Sequence, residues 1–415
     1  MHIDHIALKD FRTFRSTRID FVHPDQDFAR LGFDRPKYPN VNLLLGNNGF
    51  GKTTLLKAVA LACLGPAVGK SGVFPYRLIR REPDDHPEQP SLARIEAAFT
   101  THRQDRVAGA ATPERLQALV EVRRQGDLED LVWASQAQPG WEAIFSAESE
   151  ALFFVGYGAS RRVEHKERFD PGARRTRLFA RAQRVQSLFE DTYSLVPLNG
   201  WLPEFARRNP GRHEQVVRLL NRLLGKGHYA FTGEMADGEY LFQRGGLTVP
   251  FPALSDGYRA YLGWVCDLLH HVCMTCPPGQ KLVDSRGIVM LDEIDLHLHP
   301  KWQMTVIPTL ALALPNLQFI VTSHSPLVVG SLQWQNIIGM RPVRDQASRL
   351  DRVPTAVHGL DADQVLLTTH FGLTSTRAQG RDRQLKELSM KARLGDPDAA
   401  EQLLAQMSQG AELAQ

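Results

Sequence analysis

The sequence predicts an α/β fold: a mixed sheet with a helical lobe inserted into it. Three observations carry that reading. The apolar run "VNLLLG" leads through a glycine-rich turn into "KTTLLKAVALACLG". Two later apolar runs, within "GIVMLDE" and "LQFIVTSHSP", have the length and continuity of strands buried on both faces. Between these parts, from Arg161 to about Gly227, the pattern turns helical and basic.

In chain order, "MHIDHIALKDFRTFRSTRIDF" alternates apolar and polar residues and reads as a two-stranded hairpin with its break near Arg15–Thr17. Val41–Leu45 is a buried strand, and the helix after it ends at Gly65, so strand, glycine loop and helix open a βαβ unit. "PSLARIEAAFT" and "RLQALVEVRRQ" fit strands or a short helix equally by periodicity. Leu152–Val155 reads as a strand running into the loop of "VGYGASRR". "GEYLFQRGGLTVPF" is a hairpin turning at Gly245-Gly246, and it delivers the chain to "LSDGYRAYLGWVCDLL", an apolar helix. Strands Gly287–Glu293 and Leu317–Pro326 are joined by a helix over about Lys301–Leu314, and an amphipathic helical tail follows Pro342. The expected divisions are 1–160, 161–240, 241–345 and a C-terminal extension 346–415.

A chain of 415 residues with 43% hydrophobic and 23% charged residues has the composition of a globular protein with a sizeable core. The net charge of +3 by itself implies no nucleic-acid partner. Four cysteines make no disulfide framework, and no signal-peptide pattern or apolar run of about 18 residues is evident, so a cytoplasmic protein without membrane contact is expected. Cys273-Met-Thr-Cys276, near Cys266, His270 and His271, has zinc-like spacing but lacks a second spaced pair; buried thiols are the better reading.

The chemistry lies in four motifs. "GNNGFGKTT" has the spacing G-x-x-x-x-G-K-[ST] between a strand and a helix, where backbone N–H groups can cradle phosphates. Its candidate ligands are Gly46, Asn47, Asn48, Gly49, Gly51, Lys52, Thr53 and Thr54, with Lys52 reaching the β- and γ-phosphates of ATP and the Thr53 hydroxyl ligating Mg²⁺. "GIVMLDEIDLHLHP" places Asp292 and Glu293 at the C-terminal end of a strand, where α/β folds bind ligands. Asp292 is assigned to Mg²⁺ through water, and Glu293 to deprotonating the attacking water. His324 in "TSHSP" is placed to sense the γ-phosphate. His297 and His299 are better read as a loop beside the nucleotide, with Asp295 near a subunit contact, than as metal ligands. Ser255 and Gly257 stand at a helix mouth suited to an anion, although Ser255 or Asp256 could equally be a plain N-cap.

In this order the motifs resemble the RecF/SMC-like and OLD-like branch of ABC-class ATPases. "LKDFRTF", "LLLGNNGFGKTTLLKAVA", "VGYGASR", "LSDGYRA", "LDEIDLHLHPKWQ" and "FIVTSHSPLVV" carry the likeness over roughly 320 residues. The resemblance implies a P-loop ABC-type ATPase head with a mixed sheet and an inserted helical lobe. It implies head-to-head dimers in which "LSDGYRA", a variant of the Leu-Ser-Gly-Gly signature with Asp256 at the first glycine, meets the partner's γ-phosphate. It also adds Arg12 to the nucleotide-binding set. No glutamine stands in "VGYGASRR", the expected place of the Mg²⁺-contacting glutamine. The space between Thr54 and Ser255 lacks sustained heptads, which argues against a long coiled coil. The tail shows no spaced acidic cluster of a Toprim nuclease.

The expected function is therefore an ATPase that switches a DNA-linked defence complex, of the Septu-type ATPase–nuclease kind, with a separate nuclease or effector subunit. A stand-alone RecF-like repair ATPase and an ABC transporter subunit are the alternatives. Arg161–Arg184 holds nine Arg/Lys against three Asp/Glu, a candidate DNA surface or a solvated helix face.

Overall fold

Strand, glycine loop and helix form where the sequence places them: strand Val41–Leu45, then helix Lys52–Leu64. They belong to a computed structural model that describes the whole chain except residues 75, 83–88, 106–112, 137–138, 146–148, 150, 164–179, 226–228, 344–346, 377–378 and 409–415. Two compact units result, Met1–Leu360 and Asp361–Gln415.

The first unit is built on two large sheets, with two smaller ones among the described residues. In the six-stranded sheet the order is Ser348–Asp351, Ile337–Pro342, Val41–Leu45, Leu317–Thr322, Gly287–Leu291, Phe154–Tyr157. All neighbours run parallel except the first pair. Every residue of the three central strands is buried, which is why they read as unbroken apolar runs. The second sheet is antiparallel, with order Phe14–Asp20, His2–Phe11, Leu92–Thr100, Arg115–Gln125, Leu128–Trp133. Here alternate residues (Ala93, Ile95, Ala97, Phe99; Leu116, Ala118, Val120, Val122) face inward. Helix Lys52–Leu64 shares one core with both sheets, and eleven of its thirteen residues are buried. A helix buried on nearly all sides has little solvent face, and only Thr53 and Lys57 of this one are partly exposed. The stretch Lys52–Lys70 is long and apolar enough to cross a membrane by length and composition, contrary to the sequence expectation, but 72% of it is buried in this core.

The basic region contributes amphipathic helices Leu198–Arg208 and Pro210–Leu224, whose buried stripes include Trp201, Leu202, Phe205, Val216, Leu220 and Leu223. The hairpin Glu239–Arg244/Leu247–Pro250 turns at Gly245-Gly246 as expected and gains a third strand, Ala230–Ala236. In the second unit, the amphipathic tail forms helices Gln379–Arg393 and Pro397–Ser408.

Five local expectations need correction. The first hairpin turns at Arg12-Thr13, not Arg15–Thr17: Phe11 pairs with Phe14 across a two-residue loop, which keeps both rings in the core. Arg12 accepts the positive φ, +48°, that such tight loops demand. The strand expected at Leu152–Val155 occupies Phe154–Tyr157, because Leu152 lies in the left-handed region at φ +59° and cannot continue a ladder. The helix over Lys301–Leu314 is two helices, Pro300–Gln303 and Val306–Ala313. Pro308 has no N–H to give the carbonyl of Met304 and its ring crowds that carbonyl, so the chain breaks there. The β-strand Gly287–Glu293 ends two residues early, at Leu291, and the strand Leu317–Pro326 ends at Thr322, ahead of the helix that Pro326 begins. The two segments that periodicity left open, around Leu92–Thr100 and Arg115–Gln125, are strands.

Candidate active site

The strand order brings the site together. Strand Leu317–Thr322 lies between the strand that feeds the glycine loop and the strand that feeds Asp292-Glu293. All three open onto the same C-terminal edge, so Thr53 and Asp292, 239 apart in sequence, become neighbours.

Gly51 closes the loop at φ +99°, a conformation costly for any residue with a Cβ. A Cβ there would also lie 2.9 Å from the Phe14 ring and against the Thr13 hydroxyl, so the hairpin turn buttresses the loop. The Lys52 ammonium is buried and bonds the Gly46 and Asn47 carbonyls at 2.7 and 3.2 Å. Burial lowers its pKa, and Asp292, Glu293 and Asp295 oppose that shift. Asn47, Asn48 and Gly49 are exposed at the loop crest, and Thr54 is buried beneath it.

Asp292, 4% exposed, is held by two hydroxyls: Thr53 donates to Oδ2 at 2.6 Å and Thr322 donates to Oδ1 at 2.6 Å. Its N–H bonds the Tyr157 carbonyl at 2.9 Å. Glu293 sits at φ +48°, an unfavourable conformation for a residue with a side chain, and is fastened on both sides. Its N–H donates to the Thr322 hydroxyl at 2.7 Å, and its carbonyl accepts from Arg161 at 2.7 Å. Burial lowers the Arg161 guanidinium to about 10 despite the nearby Asp292, Asp295 and Glu293. Two of these partners, Thr322 and Arg161, escaped the sequence reading. Thr322 ends the strand of "FIVTSHSP", two residues before the chosen histidine, and a hydroxyl ending a buried strand was the available signal. Arg161 follows the strand that pairs with Gly287–Leu291, which puts the glutamine-less "VGYGASRR" loop beside Asp292-Glu293.

His324 lies on the same edge: its side chain is exposed and its N–H faces Asp295 Oδ1 at 3.4 Å. Arg12 is turned elsewhere, its guanidinium donating to the carbonyls of Tyr76 and Arg77 at 3.0 and 3.1 Å.

Ser255 holds the N-cap position of the 20-residue helix Asp256–Thr275, yet its side chain makes no capping bond. Ser255 and Asp256 are exposed, and the Asp256 carboxylate pairs with Arg259 on its own helix. A Cβ on Gly257 would lie 2.9 Å from the His297 carbonyl. Tyr258 and Tyr261 pack edge-on against Trp302, at 4.5 and 5.0 Å between ring centroids. The mouth is thus seated on the His297–Trp302 segment that follows Asp292-Glu293. His299 caps the short helix Pro300–Gln303, His297 is exposed, and neither joins a three-donor metal cluster among the described residues. All four cysteines are buried thiols, outside any such cluster among the described residues.

Of the basic stretch, Lys166, Arg168, Arg174, Arg175 and Arg177 lie outside the described residues. Arg161 bonds Glu293, and Arg181 donates to the carbonyls of Ile144, Ser149 and Ala151 and covers the Phe145 ring. Arg184 lies over the Phe153 ring. These three arginines serve the fold.

Residues 41–330, well over half the chain, match the family described as "AAA domain, putative AbiEii toxin, Type IV TA system". The chain belongs to this AAA-domain family. The AAA domain spans the glycine loop, the signature-like helix, Asp292-Glu293 and His324 together, so the chain carries a P-loop ATPase domain. The chain is 20% identical to the "Septu protein PtuA" of Bacillus mycoides (strain KBAB4) over 383 residues, 90% of this chain and 45% of that protein. It is 44% identical to the "Retron Ec83 probable ATPase" of Escherichia coli over 84 residues, 20% of this chain and 16% of that protein. The chain thus spans less than half the length of these curated relatives. Among solved structures, an Smc head domain with an extended coiled coil, derived from Pyrococcus furiosus and bound to the C-terminal domain of ScpA, superposes with a TM-score of 0.50. That match has 14% identity and covers 85% of this chain and 96% of that one, and it shows the α/β head fold.

Proposed function

We propose that this AAA domain binds Mg–ATP and hydrolyses it at a head-to-head dimer interface, switching a DNA-linked defence complex with a separate nuclease or effector subunit. The observation that carries the dimer is Ser255. It stands exposed at the mouth of a long helix, makes no cap bond, and has its neighbouring carboxylate paired with Arg259. A helix mouth left in that state is ready for an anion.

The residues present fit magnesium. The Thr53 hydroxyl and the Asp292 carboxylate touch, and together they offer the hard oxygen donors that this ion takes. Bound there, the ion would neutralise phosphate charge. The chain's own residues do the remainder. The Lys52 ammonium exchanges its two loop carbonyls for phosphate oxygens. Glu293 accepts the proton of the attacking water, and His324 faces the γ-phosphate. Thr322 fixes Asp292 and Glu293 relative to each other through one hydroxyl. Ser255 and Gly257 close over the nucleotide of the opposite protomer.

The defence setting is supported by the likeness to the "Septu protein PtuA" and the retron ATPases, and the nuclease partner by the resemblance to Septu-type modules. DNA contact through Arg161–Arg184 rests on exposed Arg162 and on the basic residues between Val163 and Ala180. Sedimentation of the Glu293→Gln chain tests the dimer: Mg–ATP should double the mass, and Ser255→Arg in the same background should keep it at the nucleotide-free value. A mass that ignores ATP overturns the proposal.

A further inference from the structure

At the opposite end of the parallel sheet, two buried histidines converge with a carboxylate. His2 begins the first strand, and His23 and Asp25 follow the second. Arg286 and Asn316, which touch this cluster, immediately precede strands Gly287–Leu291 and Leu317–Thr322. The cluster therefore lies about one five-residue strand, roughly 16 Å, from the Asp292 edge.

The proton positions are set by what each ring nitrogen faces. His2 Nε2 lies 2.8 Å from the Asn316 carbonyl, which can only accept, so Nε2 carries the proton. His23 Nε2 lies 2.8 Å from the Asp4 carboxylate, itself bonded by the Thr100 hydroxyl, so this nitrogen donates too. In the neutral rings both Nδ1 atoms then present bare lone pairs. His23 Nδ1 is buried with no hydrogen-bond partner among the described residues, on a residue only 1% exposed. His2 Nδ1, equally buried, faces Asp25 Oδ2 at 3.3 Å, acceptor against acceptor. The rings stack at 5.1 Å, and one donor atom from each of the three residues lies within 4.8 Å of the other two.

Two imidazole lone pairs and a carboxylate, each histidine fixed through its far nitrogen by an oxygen acceptor, are the donor set and outer support of a transition-metal site. We propose that His2 Nδ1, His23 Nδ1 and Asp25 bind a divalent ion of the zinc class. The 3.3 Å between His2 Nδ1 and Asp25 Oδ2 matches the edge of about 3.4 Å between tetrahedral zinc ligands. Arg286 also bonds Asp25 Oδ2 and orients the carboxylate toward the rings. Asp25 is exposed, leaving the ion a way in. Such an ion would tie the start of the antiparallel sheet to the loop after its second strand, on the side of the fold away from the nucleotide.

The test is titration of the chelator-treated full chain with Co²⁺, read by visible absorption, and with Zn²⁺, read by calorimetry. One equivalent should bind without a thiolate charge-transfer band. His23→Gln and Asp25→Asn should each weaken binding at least tenfold. His271→Gln, in the separate Asp267–His270–His271 cluster, should change nothing. ATP binding by each variant checks the fold, and Asp25, whose side chain is 35% exposed, provides a substitution at the rim of the cluster. Absence of stoichiometric binding, a thiolate band, or unchanged affinity in Asp25→Asn would overturn the site.

Discussion

Thr322→Val would remove one hydroxyl and leave the side chain's shape. That hydroxyl, fully buried, donates to Asp292 Oδ1 at 2.6 Å and accepts the Glu293 N–H at 2.7 Å. Losing a bond to a charged acceptor costs about 1.5–3 kcal/mol, and stranding a buried N–H about 1–3 kcal/mol. Because both bonds share one atom and partly relax together, about 2–4 kcal/mol is the expected loss. Little cavity contributes, since valine nearly keeps threonine's shape and the change is chiefly the loss of the hydroxyl's bonds. The assay is urea unfolding followed by tryptophan fluorescence; all six tryptophans lie in Met1–Leu360, so the signal reports the unit that holds the site. Hydrolysis should fall with stability, because Glu293 loses the bond that steadies its left-handed backbone. A change below about 0.5 kcal/mol, the size of a neutral surface substitution, would refute the idea that this hydroxyl holds the two carboxylates in place.

Lys52→Ala should abolish tight ATP binding, since the loop keeps its glycines but loses the cation that meets the phosphates; calorimetric titration reads this directly. Glu293→Gln should bind ATP normally and slow turnover roughly 10²–10⁴-fold, the usual worth of a positioned general base, in a steady-state phosphate-release assay. Gly257→Ala should slow turnover while sparing ATP binding, because the new methyl meets the His297 carbonyl and shifts the helix mouth; the two assays together read the split.

The parts of this site that could be read from sequence are local. Gly46 to Thr54 carry their geometry in their own spacing, and Asp292-Glu293 announce themselves at the end of an apolar run. Thr322 and Arg161 could not be found that way. Their roles depend on which strands lie side by side, and strand order is a long-range property: Thr322 matters because its strand falls between the other two, Arg161 because its strand pairs with the Asp292 strand. The hairpin turn was misplaced by three residues for a related reason. Alternation alone does not say which of two adjacent polar stretches bends, whereas burial of both Phe11 and Phe14 does. Asp256 is the converse case. Its outward pairing with Arg259 follows from i,i+3 helix spacing and needs no tertiary contact.

The central claim is that Ser255 and Lys52 serve the same nucleotide from different protomers. Mixing Ser255→Arg with Lys52→Ala chains measures it most directly. In the mixed dimer one composite site carries both lesions and the other carries neither. Combined ATPase activity should therefore rise well above that of either inactive parent. Two parents that stay inactive after proven co-assembly, or a Ser255→Arg chain that hydrolyses ATP normally alone, would contradict it.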